Sequence, residues 1–233
     1  LLADAGVDLV LCLAFNQRLR ELSAAAFVQA VLVDGLGVKH LEIGDDFRFG
    51  CDRSGDFAFL QQAGAVTGFT VEEAATVELT GSRVSSTRVR EALQASDFAE
   101  AEHLLGRPFA IAGRVVHGQK LGRQLGTPTA NVQLKRHRVP LNGVFLVSME
   151  LEGVLQPGVA NIGVRPSVKA DGFAHLEVHL LDFAGDLYDR RVSVVFHHKL
   201  RDEQRFASLE ALKSAIAADV VAARAFWQDQ LNS

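Results

Sequence analysis

Hydrophobic and polar positions follow two different rhythms along this chain of 233 residues. In the first rhythm, up to about residue 107, short apolar runs alternate with segments of helical spacing. Val7–Phe15 predicts a buried strand, and Lys39–Ile43 predicts a second one. Ser23 can cap a helix over Ala24–Leu36 that lies between these strands. The order strand, helix, strand is typical of a parallel α/β sheet with helices on its faces. The remaining elements predicted in this half are a helix at Asp56–Ala65, an extended segment at Thr70–Leu79, and helices at Ser85–Leu93 and Phe98–Leu105.

The second rhythm has a period of two and runs from Gly113 to about Arg201. Short alternating segments separated by Gly, Pro and Asp turns predict an antiparallel barrel or sandwich. Ser208 can cap a final helix with one apolar stripe. The change of rhythm at Leu104–Pro108 predicts a hinge, and therefore one domain at 1–107 and another at 108–233. The strands predicted in the second half are Val144–Leu151, Gly158–Ile162, Leu176–Leu181 and Val192–His197.

Composition restricts the class of protein only loosely. Lys and Arg total 24 against 28 Asp and Glu, and 48% of residues are hydrophobic, so disorder as the main state is excluded. A net charge of −4 argues against wholesale nucleic-acid binding. No apolar run approaches the roughly 18 residues of a membrane helix. With two cysteines, one of them inside an apolar run, we expect a reducing, cytoplasmic location without disulfides. The sequence begins at Leu1 rather than Met, so a targeting segment stays open.

One stretch of the chain lacks acidic residues. Positions 103–149 contain no Asp or Glu, where the average composition predicts about six. Such a one-sided local charge suits a polyanionic ligand, although a solvated basic face would have the same composition. The basic residues of this stretch are Arg107, Arg114, Lys120, Arg123, Lys135, Arg136 and Arg138.

Glycines recur within the acid-free stretch. Because glycine permits positive φ and close approach of the backbone, successive N–H groups there can turn toward phosphate oxygens. Lys120 and Arg123 can add positive charge to the same anion. The spacing is not that of a P-loop, and tight turns of a β-barrel are an alternative explanation. The glycines concerned are Gly113, Gly118, Gly122 and Gly126.

Two further elements can complete a phosphoryl-transfer site. Thr129 and Asn131, in the segment TPTAN, project to one side of an extended chain and offer neutral oxygens suited to Mg²⁺. In HLEVHLL, Glu177 and His179 point away from the apolar face, so Glu177 can act as the base for an attacking hydroxyl. A Pro-directed turn and an ordinary solvent-facing strand glutamate are the corresponding structural explanations.

Several motifs together resemble those of the bacterial bifunctional riboflavin kinase/FMN adenylyltransferase (FAD synthetase) family, over essentially the whole chain. The segment PTAN with its upstream glycines is highly specific, and SSTxxR is moderately so. The motifs are GDDFRFG at 44–50, SSTRVR at 85–90, LLGRPF at 104–109, GRVVHGQKLGRQLGTPTAN at 113–131, GVANIGVRPS at 158–167 and LEVHLLD at 176–182.

For the second half, the resemblance implies a β-barrel riboflavin kinase that uses ATP and Mg²⁺ to make FMN. Thr129 and Asn131 would hold Mg²⁺ and ATP phosphate, and Glu177 would be the catalytic base. Arg224, near the end of the last helix, would contact the flavin. ATP would also be bound by the glycine-rich flap, here Gly118, Lys120, Gly122, Arg123 and Gly126.

For the first half, the resemblance implies a Rossmann-like nucleotidyltransferase domain that transfers AMP from ATP to FMN, giving FAD. Ser86, Thr87 and Arg90 would bind phosphate at a helix N-terminus, where the helix dipole favours anions. Arg83 could add positive charge from the preceding loop, and Asp46, in GDDFRFG, would lie near the FMN.

The sequence departs from the family pattern in three places. No HxGH motif occurs, so either this domain lacks its N-terminal part or its activity is lost, and we expect the former. Ser167 replaces a usual Thr, and Phe145 replaces a usual Tyr; each keeps the essential chemistry.

Two other functions remain to be weighed at this point. A non-catalytic nucleic-acid-binding barrel would need aromatic residues among the basic ones, but 114–138 contains no Phe, Tyr or Trp. An adenylyltransferase of another coenzyme pathway would leave the segment TPTAN and Glu177 without a role. The expected partners are therefore riboflavin, FMN and ATP, with no nucleic acid and no membrane.

Overall fold

The structure, a computed structural model, describes residues 1–118, 126–134, 136, 138–164 and 174–231. The chain forms two compact units, 1–83 and 84–233. The predicted boundary at 107 differs from this division, because two helices before residue 107 pack against the core of the second unit. As an assignment of the two activities, the boundary at 107 remains a prediction.

The first unit contains the predicted parallel pairing. β1 and β2 pair in parallel, with His40 opposite Thr70, and α3 is the crossover between them. The side chains of Ser23 and Asp56 accept hydrogen bonds from backbone N–H groups in the first turns of α2 and α3, which explains where these helices begin. The elements are α1 (Gln17–Arg20), α2 (Ala24–Phe27) continued by a π-helical segment (Val28–Val33), β1 (His40–Ile43), α3 (Phe57–Thr67), β2 (Thr70–Glu73), β3 (Glu78–Leu79) and β4 (Ser82–Arg83).

The prediction of a buried strand at Val7–Phe15 was wrong. This segment forms no strand, and its apolar side chains are exposed, Leu9 by 81% and Phe15 by 79%. A strand exists only where a neighbour supplies hydrogen bonds. In the described part of this unit, the two sheets contain only β1 with β2 and β3 with β4, so Val7–Phe15 has no strand partner there.

The second unit begins with two helices that pack on the core of the barrel. α4 (Ser86–Gln94) is capped by Ser85, whose hydroxyl accepts from the N–H of Arg88. α5 (Phe98–Leu105) follows within the predicted bounds. Phe98 stacks on Phe196 of the barrel, with ring centroids 6.2 Å apart. These helices therefore close the barrel core on one side.

The alternating half of the chain forms a closed six-stranded antiparallel barrel, which decides between the barrel and the sandwich. The strand order is β10, β5, β6, β9, β8, β7, and β7 pairs with β10 to close the barrel. Phe145, Val147 and Met149 of β7 are buried inside. The strands are β5 (Ala110–Val116), β6 (Ala130–Gln133), β7 (Gly143–Leu151), β8 (Val154–Val164), β9 (Ala174–Leu180) and β10 (Arg191–Arg201).

The last helix, α6 (Leu209–Leu231), packs on the outside of the barrel. Ser208 caps it as predicted, since its hydroxyl accepts from the N–H of Ala211. Ala223 is fully buried against Val144 and Leu146 of β7. Within the described ranges, no helix has the length and apolar character of a membrane span.

Candidate functional site

Three polar side chains lie side by side across three neighbouring strands. In β9, Leu176 and Val178 are buried while Glu177 lies on the opposite, outer face, as the alternation predicts. The strand register places Asn131 of β6 opposite Glu177 on one side and Asn161 of β8 opposite it on the other. Directly opposed residues share a face of the sheet and have Cβ atoms about 5 Å apart. The structure thus brings Asn131 next to Glu177, and it adds Asn161, which the sequence analysis missed.

A cavity of about 250 Å³ opens on this face between the barrel, the segment after β10 and α6. Its polar wall contains Thr129, Glu177 and His179. Its apolar wall combines strand and helix residues, so the cavity is amphipathic. The apolar lining consists of Val144, Val159, Phe206, Leu212, Ile216 and Val220.

Thr129 also lines a second cavity of about 300 Å³. Pro128 and Ala130, on either side of it, line this second cavity as well. The other lining residues include Phe183, Leu187 and Tyr188, which give it an aromatic and aliphatic wall. The two cavities therefore share Thr129 as a lining residue, and we call this position their junction.

His179 fixes the backbone of this junction. Its Nδ1 lies 2.9 Å from the carbonyl oxygen of Pro128. Because a carbonyl oxygen only accepts, Nδ1 must carry the hydrogen and donate it. His179 therefore positions the backbone next to Thr129. His179 lies on the same face of β9 as Glu177, and this sequence signal could have indicated a role in the site.

Gly118 makes room for Asn131. A Cβ at position 118 would overlap the side-chain amide of Asn131, so any other residue would displace this amide. Gly126 has a φ of +79°, a backbone conformation that favours glycine. Lys120, Gly122 and Arg123, the other predicted members of the glycine-rich flap, lie outside the described residues.

Four polar or charged residues that the sequence analysis missed line the first cavity: Asn161, Arg201, Glu203 and Asp219. Arg201 donates to both carboxylate oxygens of Asp219 on α6, at 2.8 to 3.2 Å, and Asp219 is buried. Glu203 accepts from the Nδ2 of Asn161 at 3.4 Å. The Arg201–Asp219 contact joins positions 18 apart and the Asn161–Glu203 contact positions 42 apart, so no local motif predicts them.

Arg224, the residue predicted to contact the flavin, forms an ion pair with Asp182. Its guanidinium donates two hydrogen bonds to the Asp182 carboxylate, at 2.6 and 2.7 Å. These hydrogen bonds lower the pKa of Asp182 below its ordinary value and raise that of Arg224. Among the described residues that line the two cavities, Arg224 does not occur, so its contact with the flavin stays a prediction.

The predicted adenylyltransferase residues belong to both compact units. In the first unit, Arg83 donates to Asp45 at 2.9 Å and lies 3.9 Å from Asp46. In the second unit, Ser86 and Thr87 lie in the first turn of α4, and the Arg90 guanidinium is 3.5 Å from the Thr87 hydroxyl. A helix N-terminus of this kind offers free N–H groups to an anion.

Comparisons with known proteins identify the family of the chain. A riboflavin kinase (flavokinase) family model matches residues 105–227, and an FAD synthetase family model matches 1–88. The bifunctional riboflavin kinase/FMN adenylyltransferase of Pseudomonas fluorescens is 77% identical over 220 residues, covering 94% of this chain and 71% of the relative. That of Escherichia coli (strain K12) is 53% identical over 229 residues, covering 97% and 72%. A crystal structure titled as a macrolide-efflux protein from Streptococcus pneumoniae has a TM-score of 0.71 and 32% identity, covering 96% and 72%.

The barrel, its paired cavities and these matches define a flavin-directed transferase. The chain belongs to the bifunctional riboflavin kinase/FMN adenylyltransferase family of flavin cofactor biosynthesis. Riboflavin, FMN and ATP are the substrates that membership implies. The comparisons support this function over the nucleic-acid-binding barrel and over an adenylyltransferase of another coenzyme pathway.

Proposed function

We propose that the riboflavin kinase site lies at the junction of the two cavities, with riboflavin in the first cavity and ATP in the second. The observation that carries the proposal is that Thr129 lines both cavities while Glu177 lines the first. A phosphoryl group transferred between two substrates has to pass through a point that both can reach. Thr129 occupies such a point.

The two cavity walls suit the two substrates. The first cavity has an apolar wall against α6 that fits a flat isoalloxazine ring, and its polar wall faces the ribityl chain. The second cavity offers Phe183, Leu187 and Tyr188 to an adenine ring. Residues 128–130 bring part of the acid-free stretch into its lining, and the Asp186 carboxylate, which also lines it, accepts from the backbone N–H of Tyr188.

Thr129 at the junction and Asn131, opposite Glu177 on β6, together form a donor set that fits Mg²⁺. The Thr129 hydroxyl and the Asn131 amide oxygen are neutral, hard ligands, and the phosphates themselves would supply the negative charge. The missing Cβ of Gly118 leaves the Asn131 amide the space it needs. Bound there, the ion would neutralise charge on the phosphates during transfer.

Glu177 is the proposed base for the 5′-hydroxyl of riboflavin. The hydroxyl oxygen forms a bond to the γ-phosphorus, and the bond from that phosphorus to the β–γ bridging oxygen breaks, releasing ADP. The proton of the hydroxyl moves to the Glu177 carboxylate. The chain holds this carboxylate on a barrel strand between Asn131 and Asn161, so its position is set by the register.

A kinase assay with riboflavin and γ-³²P-labelled ATP tests this assignment. Changing Glu177→Gln removes the base and keeps the shape, so we expect kcat for labelled FMN to fall by about 10²- to 10⁴-fold. The KM for riboflavin should change little, because the amide still fills the same space. Glu150→Gln, an exposed carboxylate of β7, is the matched control and should behave as wild type. Equal rates for Glu177→Gln and wild type would contradict the role of Glu177, and a folded wild type that makes no FMN with Mg²⁺ would contradict the kinase site.

We further propose that residues 1–107 serve FMN adenylylation and 108–233 serve riboflavin phosphorylation. In this assignment Asp46 lies near FMN and Arg83 adds positive charge, while Ser86, Thr87 and Arg90 bind phosphate at the start of α4. The ion pairs of Arg83 and the helix N-terminus at Ser86 support these roles. Free, exposed Cys12 and Cys51 are in keeping with a reducing, cytoplasmic location.

A further inference from the structure

Glu203 places a second carboxylate in the first cavity, next to the base. It lies just beyond β10, and its side chain is 37% exposed, so a ligand in the cavity can reach it. One oxygen accepts from the Nδ2 of Asn161 and lies 3.9 Å from the Nε2 of His175. The other oxygen lies over Gly163, where a Cβ would come within 2.6 Å of it. Asn161, His175 and the bare backbone of Gly163 therefore fix the position of this carboxylate.

The strand register shows which residues lie between Glu203 and the base. Asn161 lies directly opposite Glu177, about 5 Å away between Cβ atoms. Glu203, which contacts Asn161, lies over Gly163 and beside His175, the next opposed pair on the same face of these two strands. A polyol chain whose terminal hydroxyl is at Glu177 would thus carry its inner hydroxyls past Asn161 and Glu203. No other strand lies between them on this path, because β8 and β9 are adjacent.

The remaining charged groups of the cavity have less capacity to receive these hydroxyls. Both carboxylate oxygens of Asp219 accept hydrogen bonds from Arg201, which donates from its Nε and from one terminal nitrogen. His179 donates from Nδ1 to the Pro128 carbonyl. A carboxylate has about four lone-pair positions, and Asn161 occupies one of those on Glu203. Glu203 thus retains acceptor capacity where hydroxyl donors would pass.

We propose that Glu203 accepts hydrogen bonds from the secondary hydroxyls of the ribityl chain and so selects flavins that carry a polyol, with Asn161 as its positioning residue. The inference rests on the proposed function, since it takes riboflavin to be the occupant of this cavity. It makes Glu203 a determinant of specificity for the chain that bears the reacting hydroxyl, separate from the apolar wall that would receive the ring.

The test compares two flavins by fluorescence titration of the full chain. Riboflavin carries the ribityl chain, and lumiflavin has the same ring with a methyl group in its place. Glu203→Ala should raise the Kd for riboflavin about tenfold or more, the loss typical of a hydrogen bond to a charged acceptor, and should change the Kd for lumiflavin less than threefold. Asn161→Ala should show the same selectivity with a smaller effect. Glu203→Gln, which keeps the shape, should fall between wild type and Glu203→Ala.

Glu210→Ala, a carboxylate in the first turn of α6, is the control and should bind both flavins as wild type does. If Glu203→Ala and Glu203→Gln weaken both flavins equally, Glu203 only supports the cavity wall and the proposal is wrong. If neither variant changes either Kd while wild type phosphorylates riboflavin, the proposal fails and the proposed function stands. If folded wild type binds neither flavin, the flavin assignment of this cavity fails together with the inference.

Discussion

At the scale of single residues, one absent methyl group controls the geometry of the candidate kinase site. Gly118 contacts the Asn131 amide so closely that a Cβ there would overlap it. Changing Gly118→Ala should therefore displace the amide from its place beside Glu177 and lower the kcat for FMN formation by about tenfold or more, as small misplacements of positioning groups do. The same riboflavin kinase assay measures this loss.

A double-mutant cycle separates this effect from a general loss of stability. If Gly118 acts through Asn131, then adding Gly118→Ala to Asn131→Ala should cause no further loss of kcat. Gly44→Ala, at a position where a Cβ meets only the side chain of Asp46 at 3.4 Å, is the control glycine and should leave kinase activity unchanged. An equal fall of kcat in both backgrounds would show that Gly118 does not act through Asn131.

Local pattern predicts single residues only where one strand decides their environment. The alternation of HLEVHLL correctly placed Glu177 and His179 outside and Leu176 and Val178 inside. Asn161 and Glu203 could not be found in this way, because their contact joins positions 42 apart in sequence. Such a contact depends on the barrel register and on the path of the chain after β10, which no local pattern specifies.

At the scale of elements, the side chain of His197 lies between α6 and the barrel. His197 of β10 hydrogen-bonds the buried hydroxyl of Ser148 at 2.8 Å. Trp227 of α6 packs edge-on against the His197 ring, with centroids 4.9 Å apart. Burial lowers the pKa of His197 below its ordinary 6.5, although the charge of Glu102 opposes this shift. The docking of α6 therefore favours neutral His197.

The lowered pKa predicts a pH dependence of stability. In the unfolded chain His197 titrates near 6.5, so the stabilisation from its neutral form is complete above that pH and is lost as pH falls through the lower folded-state pKa. His197→Gln should remove this contribution, which can reach at most about 1.4 kcal/mol per pH unit for one proton. The free energy of unfolding, measured in urea between pH 5 and 8, should thus fall less steeply with acid in His197→Gln. Parallel curves for the two proteins would contradict the prediction.

Elements were predicted well where their partners are near in the chain. α5 was predicted with its observed bounds, and Ser208 was identified as the cap of α6. The failure at Val7–Phe15 has a physical cause, because an apolar run specifies a strand only when a neighbouring strand can pair with it. The hydrophobic pattern of Val7–Phe15 carries no information about which strands pair, and in the structure β1 pairs with β2 and not with this segment.

At the scale of the whole molecule, the core and the motifs divide the chain at different places. The motif LLGRP and the change of rhythm predict a boundary at 107 between the two activities, whereas the compact units divide between 83 and 84. The difference comes from α4 and α5, whose Leu93, Phe98 and Ala101 belong to the same buried cluster as the barrel interior. A fragment's stability should therefore depend on whether it keeps these two helices.

Two fragments make this a measurable difference. Residues 84–233 keep the whole cluster, but 108–233 lack Phe98, whose ring packs on Phe145 and Phe196 inside the barrel. Loss of a buried Phe alone costs about 3–5 kcal/mol, so the free energy of unfolding of 108–233 should be lower than that of 84–233 by at least this amount. Urea denaturation of the two fragments measures the difference. Both fragments contain Thr129, Asn131 and Glu177, so 84–233 should retain riboflavin phosphorylation. Equal stability and equal kinase activity of the two fragments would show that α4 and α5 contribute nothing to the barrel, and the boundary at 107 would then hold for folding.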